Sequence, residues 1–176
     1  IIVATYNNRK TLEKTLDALL VQKFSGKYEI IVVNDGSFDD TKQFLDAYSK
    51  NKKNLKVFHQ ENQGVCRARN RGIENSQYEI VVNMDHDCIA EKNWLQTLVD
   101  GFDSESVRLT SSYFDHGARG GTSTAFRRED LLKVGGYDEE YRYYREDTDL
   151  SFKIYDLHHS NPEFRKKYFK KPGYNY

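Results

Sequence analysis

Apolar residues along this chain fall in short continuous blocks, separated by stretches in which they recur every three or four positions. The blocks are Ile1-Ile2-Val3-Ala4-Thr5, Tyr28 to Asn34 around Ile30-Ile31-Val32-Val33, Leu55 to His59, and Glu79 to Met84. Between them, Leu12, Leu16, Leu19 and Leu20 share one helical stripe, with Asn8 as its expected N-cap. Phe44, Leu45 and Tyr48 follow an acidic helix start at Asp39-Asp40. Gly64 to Ile73 predicts a helix whose small residues Ala68 and Gly72 permit close packing, and Trp94, Leu95, Leu98, Val99 and Phe102 mark another. Continuous strands predict burial on both faces. Strand–helix alternation with short links predicts right-handed crossovers and an open, mostly parallel α/β sheet over residues 1–100. Residues 101–157 are less regular: a strand at Thr122 to Arg127, a short helix at Asp130 to Val134 ending on Gly135-Gly136, and a helix at Thr148 to Leu157.

Composition narrows the classes. A length of 176 residues suits one domain with a sizeable core, and 38% hydrophobic with 31% charged residues suits a globular chain. Lys+Arg and Asp+Glu are 27 each, without the basic excess of a nucleic-acid binder. The two cysteines, Cys66 and Cys88, form no CxxC pair, which points to a reducing compartment and a cytoplasmic location. No apolar run is long enough to span a bilayer. The chain starts at Ile1 directly on an apolar block, so it reads as part of a longer protein that has room for a membrane anchor elsewhere. Residues 158–176 form a basic, aromatic tail (Arg165, Lys166, Lys167, Lys170, Lys171), read as a solvated face, with a membrane surface or anionic acceptor as the alternative.

Candidate chemistry collects where each strand ends, the rim at which open parallel sheets bind ligands. The four ends read Thr5-Tyr6-Asn7-Asn8, Asn34-Asp35-Gly36-Ser37, Glu61-Asn62-Gln63-Gly64 and Asp85-His86-Asp87. In an extended segment, Asp85 and Asp87 would point to one side with Cα atoms roughly 6–7 Å apart. Paired carboxylates repel unless a cation lies between them, and Mg²⁺ or Mn²⁺ takes oxygen ligands and bridges to phosphate. His86 points the other way and is expected to pack or bond to backbone. Asp35 can accept hydrogen bonds from a ribose or base, or serve its Asn-Asp-Gly-Ser turn. Of Arg67, Arg69 and Arg71, alternate residues on one helix, at most one or two can face a ligand. Glu146, Asp147 and Asp149 suit a helix start, and one of them suits a general base.

Taken together these residues resemble family 2 of the inverting glycosyltransferases, which have the GT-A fold. Thr5-Tyr6-Asn7, Val33-Asn34-Asp35-Gly36-Ser37, Asn62-Gln63-Gly64 with Ala68-Arg69-Asn70-Arg71-Gly72, Asp85-His86-Asp87, the block from Gly120 to Asp138, and Glu146-Asp147 match six motifs in order. The resemblance covers residues 1–157 and implies a nucleotide-binding half (1–100) and an acceptor-side half (101–157). It implies that Thr5, Tyr6, Asp35, Asn62, Arg69 and Asp85 hold a nucleotide, usually UDP. Asp85 and Asp87 would hold Mn²⁺ or Mg²⁺. Asp147, with Glu146 beside it, would take the proton from an acceptor hydroxyl on a carbohydrate or glycoconjugate. The spacer between Tyr113 and Gly120 is shorter than the family's, and His158 and His159 are the downstream candidates for a further metal ligand.

Alternatives fit less well. A dinucleotide-binding dehydrogenase needs Gly-x-Gly-x-x-Gly after the first strand, and a P-loop enzyme needs its lysine motif. A phosphatase of the haloacid dehalogenase type places Asp-x-Asp after the first strand, not the fourth. A nucleotide-sugar-binding module without transfer activity would have no use for Asp147.

Overall fold

The structure, a computed structural model, describes residues 1–112, 122–141 and 144–159. The short spacer after Tyr113, the Gly120-Gly121 start of the acceptor-side block, the side chain of His159 and the basic tail lie outside the described residues.

Six strands form one sheet: β1 (Ile2–Thr5), β2 (Ile30–Asp35), β3 (Leu55–Gln60), β4 (Ile80–Asn83), β5 (Leu109–Ser111) and β6 (Thr124–Arg127), in the order β3-β2-β1-β4-β6-β5. β3, β2, β1 and β4 run parallel, whereas β6 is antiparallel to β4 and to β5. The sheet is therefore mostly parallel, as expected, with an antiparallel edge that the pattern did not reveal. β5, absent from the sequence reading, has three partly exposed residues, and its order comes from pairing with β6.

Helices cover both faces. α1 (Arg9–Leu20), α2 (Thr41–Tyr48) and α4 (Trp94–Asp100) pack on the face of Val3, Val32 and Val82. α3 (Val65–Glu74), α5 (Arg128–Lys133) and α6 (Glu146–His159) lie on the opposite face, which carries Ile2, Val81 and Phe126. Leu12, Leu16 and Leu19 of the predicted stripe are fully buried, each stabilising the fold by about 2 kcal/mol. Gly72 fulfils its predicted packing role, since a Cβ there would lie 2.6 Å from Ile2 Cγ2.

Two local expectations change. β2 is buried along its whole length, but β3 is an edge strand with only Leu55 fully buried, which suits its polar Lys56, His59 and Gln60. Asn8 occupies the N-cap position of α1 without capping it; its Oδ1 accepts the Thr11 hydroxyl at 2.8 Å. Asp39 serves the helix starts instead: Oδ1 accepts the Thr41 N–H at 3.0 Å, and Oδ2 accepts a long bond from the Arg9 N–H at 3.5 Å.

Candidate active site

Chain order reverses between β1 and β4: β2 and β3 follow on one side of β1, and β4 returns on the other. Such a switch point leaves a crevice at the strand carboxyl ends. Thr5 ends β1 beside it, and Asp85 follows β4 across it.

The β1 side presents aromatics. Asn7 has a positive φ of 49°, its N–H donates to Ser37 Oγ at 2.9 Å, and its Oδ1 accepts the Phe38 N–H at 2.9 Å. This ladder ties the loops after β1 and β2 together and leaves Tyr6 43% and Phe38 84% exposed, edge to face at 6.0 Å. The two rings together offer an exposed aromatic face on a braced loop. Tyr6 is one of the strand-end residues expected at the rim, whereas Phe38 lies beyond the Asn34-Asp35-Gly36-Ser37 strand end. The Thr5 hydroxyl is buried and, among the described residues, has no hydrogen-bond partner.

Asp35 is more committed than its sequence position suggested. Its Oδ1 accepts from Gln60 Nε2 at 2.8 Å and from the Gln63 N–H at 2.9 Å, and its Oδ2 accepts the Gly64 N–H at 2.8 Å. Gly64 is the N-cap of α3 and has no side chain to offer, so a carboxylate from the neighbouring strand satisfies the N–H groups at that helix start. Three of about four acceptor directions are taken. Asn62 Nδ2 donates to the Asp35 carbonyl at 3.0 Å. Only glycine fits at position 36, where φ is 74° and a Cβ would lie 2.5 Å from the Asn62 nitrogen.

The Asp-x-Asp segment is not extended. The Cys88 N–H meets the Asp85 carbonyl at 3.4 Å, with residues 86 and 87 forming the corner of a turn. The turn, rather than strand alternation, gathers the side chains. One ligand atom each from Asp85, Asp87 and Cys88 lies within 4.8 Å of the others. The loop is held from both sides: the Asp85 N–H donates to Thr122 Oγ1 at 2.8 Å, and the His86 carbonyl accepts the hydroxyls of Thr11 at 3.2 Å and Thr15 at 2.9 Å. His86 thus anchors the loop through its backbone carbonyl, and the strand alternation expected to turn its side chain away does not hold in this turn. His158 is directed elsewhere, to Asp130 Oδ1 at 3.0 Å. Burial raises the Cys88 thiol pKa, and the neighbouring Asp85 and Asp87 charges add to the effect.

Arg69 connects this turn to the second acidic motif. Its Nη2 donates to Asp85 Oδ1 at 3.0 Å and its Nη1 to Glu146 Oε1 at 2.8 Å, in the first turn of α6. Burial alone would lower the Arg69 pKa, but Tyr137, Asp85 and Glu146 raise it above its ordinary value, so it stays cationic. Arg67 pairs outward with Glu139 at 2.7 Å, and Arg71 Nη1 donates to the His59 carbonyl at 2.7 Å. Only one of the three arginines therefore faces the acidic groups. Asp147 Oδ1 accepts the Thr148 N–H at 2.8 Å, an interaction of a helix start. Asn70, next to Arg69, clamps the Tyr137 backbone through Nδ2 to its carbonyl (2.9 Å) and Oδ1 to its N–H (2.8 Å). The Tyr137 hydroxyl meets Asn83 Nδ2 under β4, and burial pushes its pKa up.

The chain matches the sequence model of Glycosyl transferase family 2 over residues 1–172. It is 33% identical over 136 residues to Glycosyltransferase AglE of Haloferax volcanii, an alignment covering 76% of this chain and 45% of AglE. It is 35% identical over 101 residues to a poly-beta-1,6-N-acetyl-D-glucosamine synthase of Staphylococcus aureus, covering 57% of this chain and 24% of the synthase. The matched region is less than half the length of either relative. Among solved structures, the mannosyltransferase PcManGT from Pyrobaculum calidifontis, in complex with GDP-Man and Mn²⁺, gives a TM-score of 0.77 at 24% identity, covering 89% of this chain and 51% of that one. S. aureus TarS in complex with UDP-GlcNAc gives 0.74 at 24% identity, covering 88% of this chain and 52% of that one. At that identity the likeness speaks for the fold, which is GT-A. With a family match along nearly its whole length, and the acidic turn at the carboxyl rim of a GT-A sheet, the chain belongs to glycosyl transferase family 2.

Proposed function

We propose that this chain is a catalytic domain that moves a sugar from a nucleoside diphosphate donor, UDP-linked in our reading, to a carbohydrate or glycoconjugate hydroxyl with inversion at the anomeric carbon. The carrying observation is the Asp85–Asp87–Cys88 turn at the β1/β4 crevice, linked through Arg69 to Glu146 beside Asp147. Solved relatives with GDP-Man and Mn²⁺ or with UDP-GlcNAc support a nucleotide-sugar donor. The two cysteines are free thiols, which suits a reducing, cytoplasmic setting.

The two carboxylates at this turn fit a hard divalent cation such as Mn²⁺ or Mg²⁺, which takes oxygen ligands, whereas the Cys88 sulfur beside them is too soft a donor to suit either ion. Asp85 and Asp87 would hold it, and when bound it would neutralise charge developing on the diphosphate leaving group. The chain's own groups supply the rest. Thr5 and Tyr6 line the nucleotide end of the crevice, the Thr5 hydroxyl being available as an uncommitted hydrogen-bonding group. Asp35 keeps Asn62 and the loop before α3 in place for the ribose and base. Arg69 offers its remaining N–H groups to phosphate oxygens. Asp147 accepts the proton of the acceptor hydroxyl as it attacks the anomeric carbon in line with the departing diphosphate.

The metal and nucleotide assignment predicts a conditional stabilisation. UDP with Mn²⁺ at roughly a hundredfold over its Kd should raise Tm by about 5 °C or more, and UDP in chelator should raise it far less. Asp87→Asn should abolish the difference. Equal melting shifts with and without metal would sink the assignment.

Phe38 adds a second aromatic face at the base end. Phe38→Ala is expected to weaken UDP affinity about tenfold by calorimetry, the scale of one lost base–aromatic stack, while Phe38→Tyr holds near the parent value. Binding of pyrophosphate with Mn²⁺ should be the same in all three proteins. A parallel loss of pyrophosphate binding would mean that Phe38 acts on the loop and not on the base.

A further inference from the structure

Arg69 sits where two acidic motifs from different parts of the chain meet. Its side chain is 8% exposed, against 14% for Glu146 and 41% for Asp85. The Tyr137 ring, 5.2 Å from the guanidinium carbon, borders it as well. Asp85, a member of the candidate metal cluster, is therefore already paired through Oδ1 with a cation that the fold supplies. A divalent ion arriving at Asp85 and Asp87 must compete with that guanidinium. Once bound, it would be repelled by a fixed positive charge that is itself buried, although the half-exposed Asp85 leaves the ion's side open to water. A diphosphate removes the conflict, because its oxygens can bridge the ion and accept the N–H that Arg69 gives up. Of the five N–H donors of a guanidinium, Arg69 uses two on these carboxylates, so donors remain for the phosphates. The second carboxylate, Glu146, keeps the side chain anchored while the first is exchanged.

We propose that Arg69 is a built-in counter-ion that makes the Asp85–Asp87 site select the metal–diphosphate pair over the free metal. The proposal rests on the metal reading above. Arg69 acts here as a coupling residue: it weakens binding of the bare ion, strengthens binding of the ion with UDP, and so makes the two ligands bind cooperatively.

The test is the free-Mn²⁺ electron paramagnetic resonance signal, titrated with the purified protein, with and without UDP. The parent protein should take up Mn²⁺ weakly alone and about tenfold or more tightly with UDP. In Arg69→Met, uptake of Mn²⁺ without UDP should become several-fold tighter, and the enhancement by UDP should largely disappear. Arg69→Lys, which keeps the charge but loses the two-pronged reach, should fall between. Loss of a merely structural residue would weaken both affinities and could not tighten the first. Glu146→Gln tests the same competition without touching Arg69. With one carboxylate fewer, the guanidinium is left to Asp85, so uptake of the bare ion should weaken while uptake with UDP holds and the enhancement by UDP grows, whereas a structural loss would weaken both alike; this variant carries the test if Arg69→Met does not fold. A parent protein that takes up Mn²⁺ with UDP, beside variants whose bare-ion affinities are unchanged or shifted in the opposite sense, overturns the counter-ion proposal alone. A parent protein indistinguishable from Asp87→Asn, with no uptake even with UDP, overturns the metal reading and this proposal with it.

Discussion

Asp147→Asn is expected to lower the sugar-transfer rate by about a thousandfold, within the usual range for loss of a general base, while UDP with Mn²⁺ binds as before. The substitution is close to isosteric. An asparagine Oδ1 can still accept the Thr148 N–H that Asp147 Oδ1 accepts now, so the start of α6 should keep its geometry. What disappears is the capacity to take a proton. The loss should fall on kcat with the donor KM nearly unchanged, because the proposed function gives the diphosphate and its metal to Asp85, Asp87 and Arg69. A verified acceptor and a donor-consumption assay would measure it. Full activity in Asp147→Asn would remove Asp147 from the reaction and return the binding-module reading to favour.

The largest stability effect is expected away from the site, at Arg108. Its Nε and Nη2 each donate to one oxygen of Asp130 at 2.7 Å, and Nη2 also reaches Glu129 Oε1 at 2.8 Å. The Asp130 side chain is fully buried, and His158 of α6 contacts its Oδ1 at 3.0 Å. One carboxylate thus joins the residue ahead of β5, helix α5 and the end of α6. Arg108→Met leaves that carboxylate buried without its main partner, at a cost of about 3–5 kcal/mol. Urea unfolding should show this as a lower midpoint at an unchanged m-value. Replacing Asp130 with leucine in the same protein should recover much of the loss, since an apolar pair leaves no unpaired charge. The pH dependence has a definite sign. Burial pushes the Asp130 pKa up, but donation from Arg108 and His158 outweighs it and holds the carboxyl below its ordinary value. A depressed folded-state pKa means that this contribution is complete above the unfolded-state value of about 3.9 and is lost as pH falls through the folded value. The stability gap between parent and Arg108→Met should therefore narrow below about pH 4. A gap that stays constant down to pH 3 would rule out the ion pair as its source.

Much of the architecture was legible because burial writes itself into local sequence. The blocks at Ile2–Thr5, Ile30–Asp35 and Ile80–Asn83 are strands of one sheet, and the Leu12-Leu16-Leu19 stripe is the buried face of α1. The apolar positions of β3 suggest burial on both faces, but its Lys56, His59 and Gln60 mark the sheet edge where it lies. β5 left no pattern, because three residues paired to a neighbour have no period of their own.

The candidate site divides along the same line. Sequence by itself determined the α/β class, the family, and that acidic and polar residues would gather at the ends of β1, β2, β3 and β4, because residue type and strand periodicity are local properties. Tertiary structure alone decided how those residues are used. Asp35 came to serve the start of α3 because N–H groups there, 28 and 29 residues on, lacked an acceptor. Asp85, Asp87 and Cys88 came together through a turn that Thr11, Thr15 and Thr122 hold in place. Arg69 came to join Asp85 to Glu146, 77 residues away, because a buried guanidinium must find carboxylates wherever the fold brings them within reach. A hydrogen-bond partner is chosen by proximity in space after the core has formed, and no local pattern records that choice.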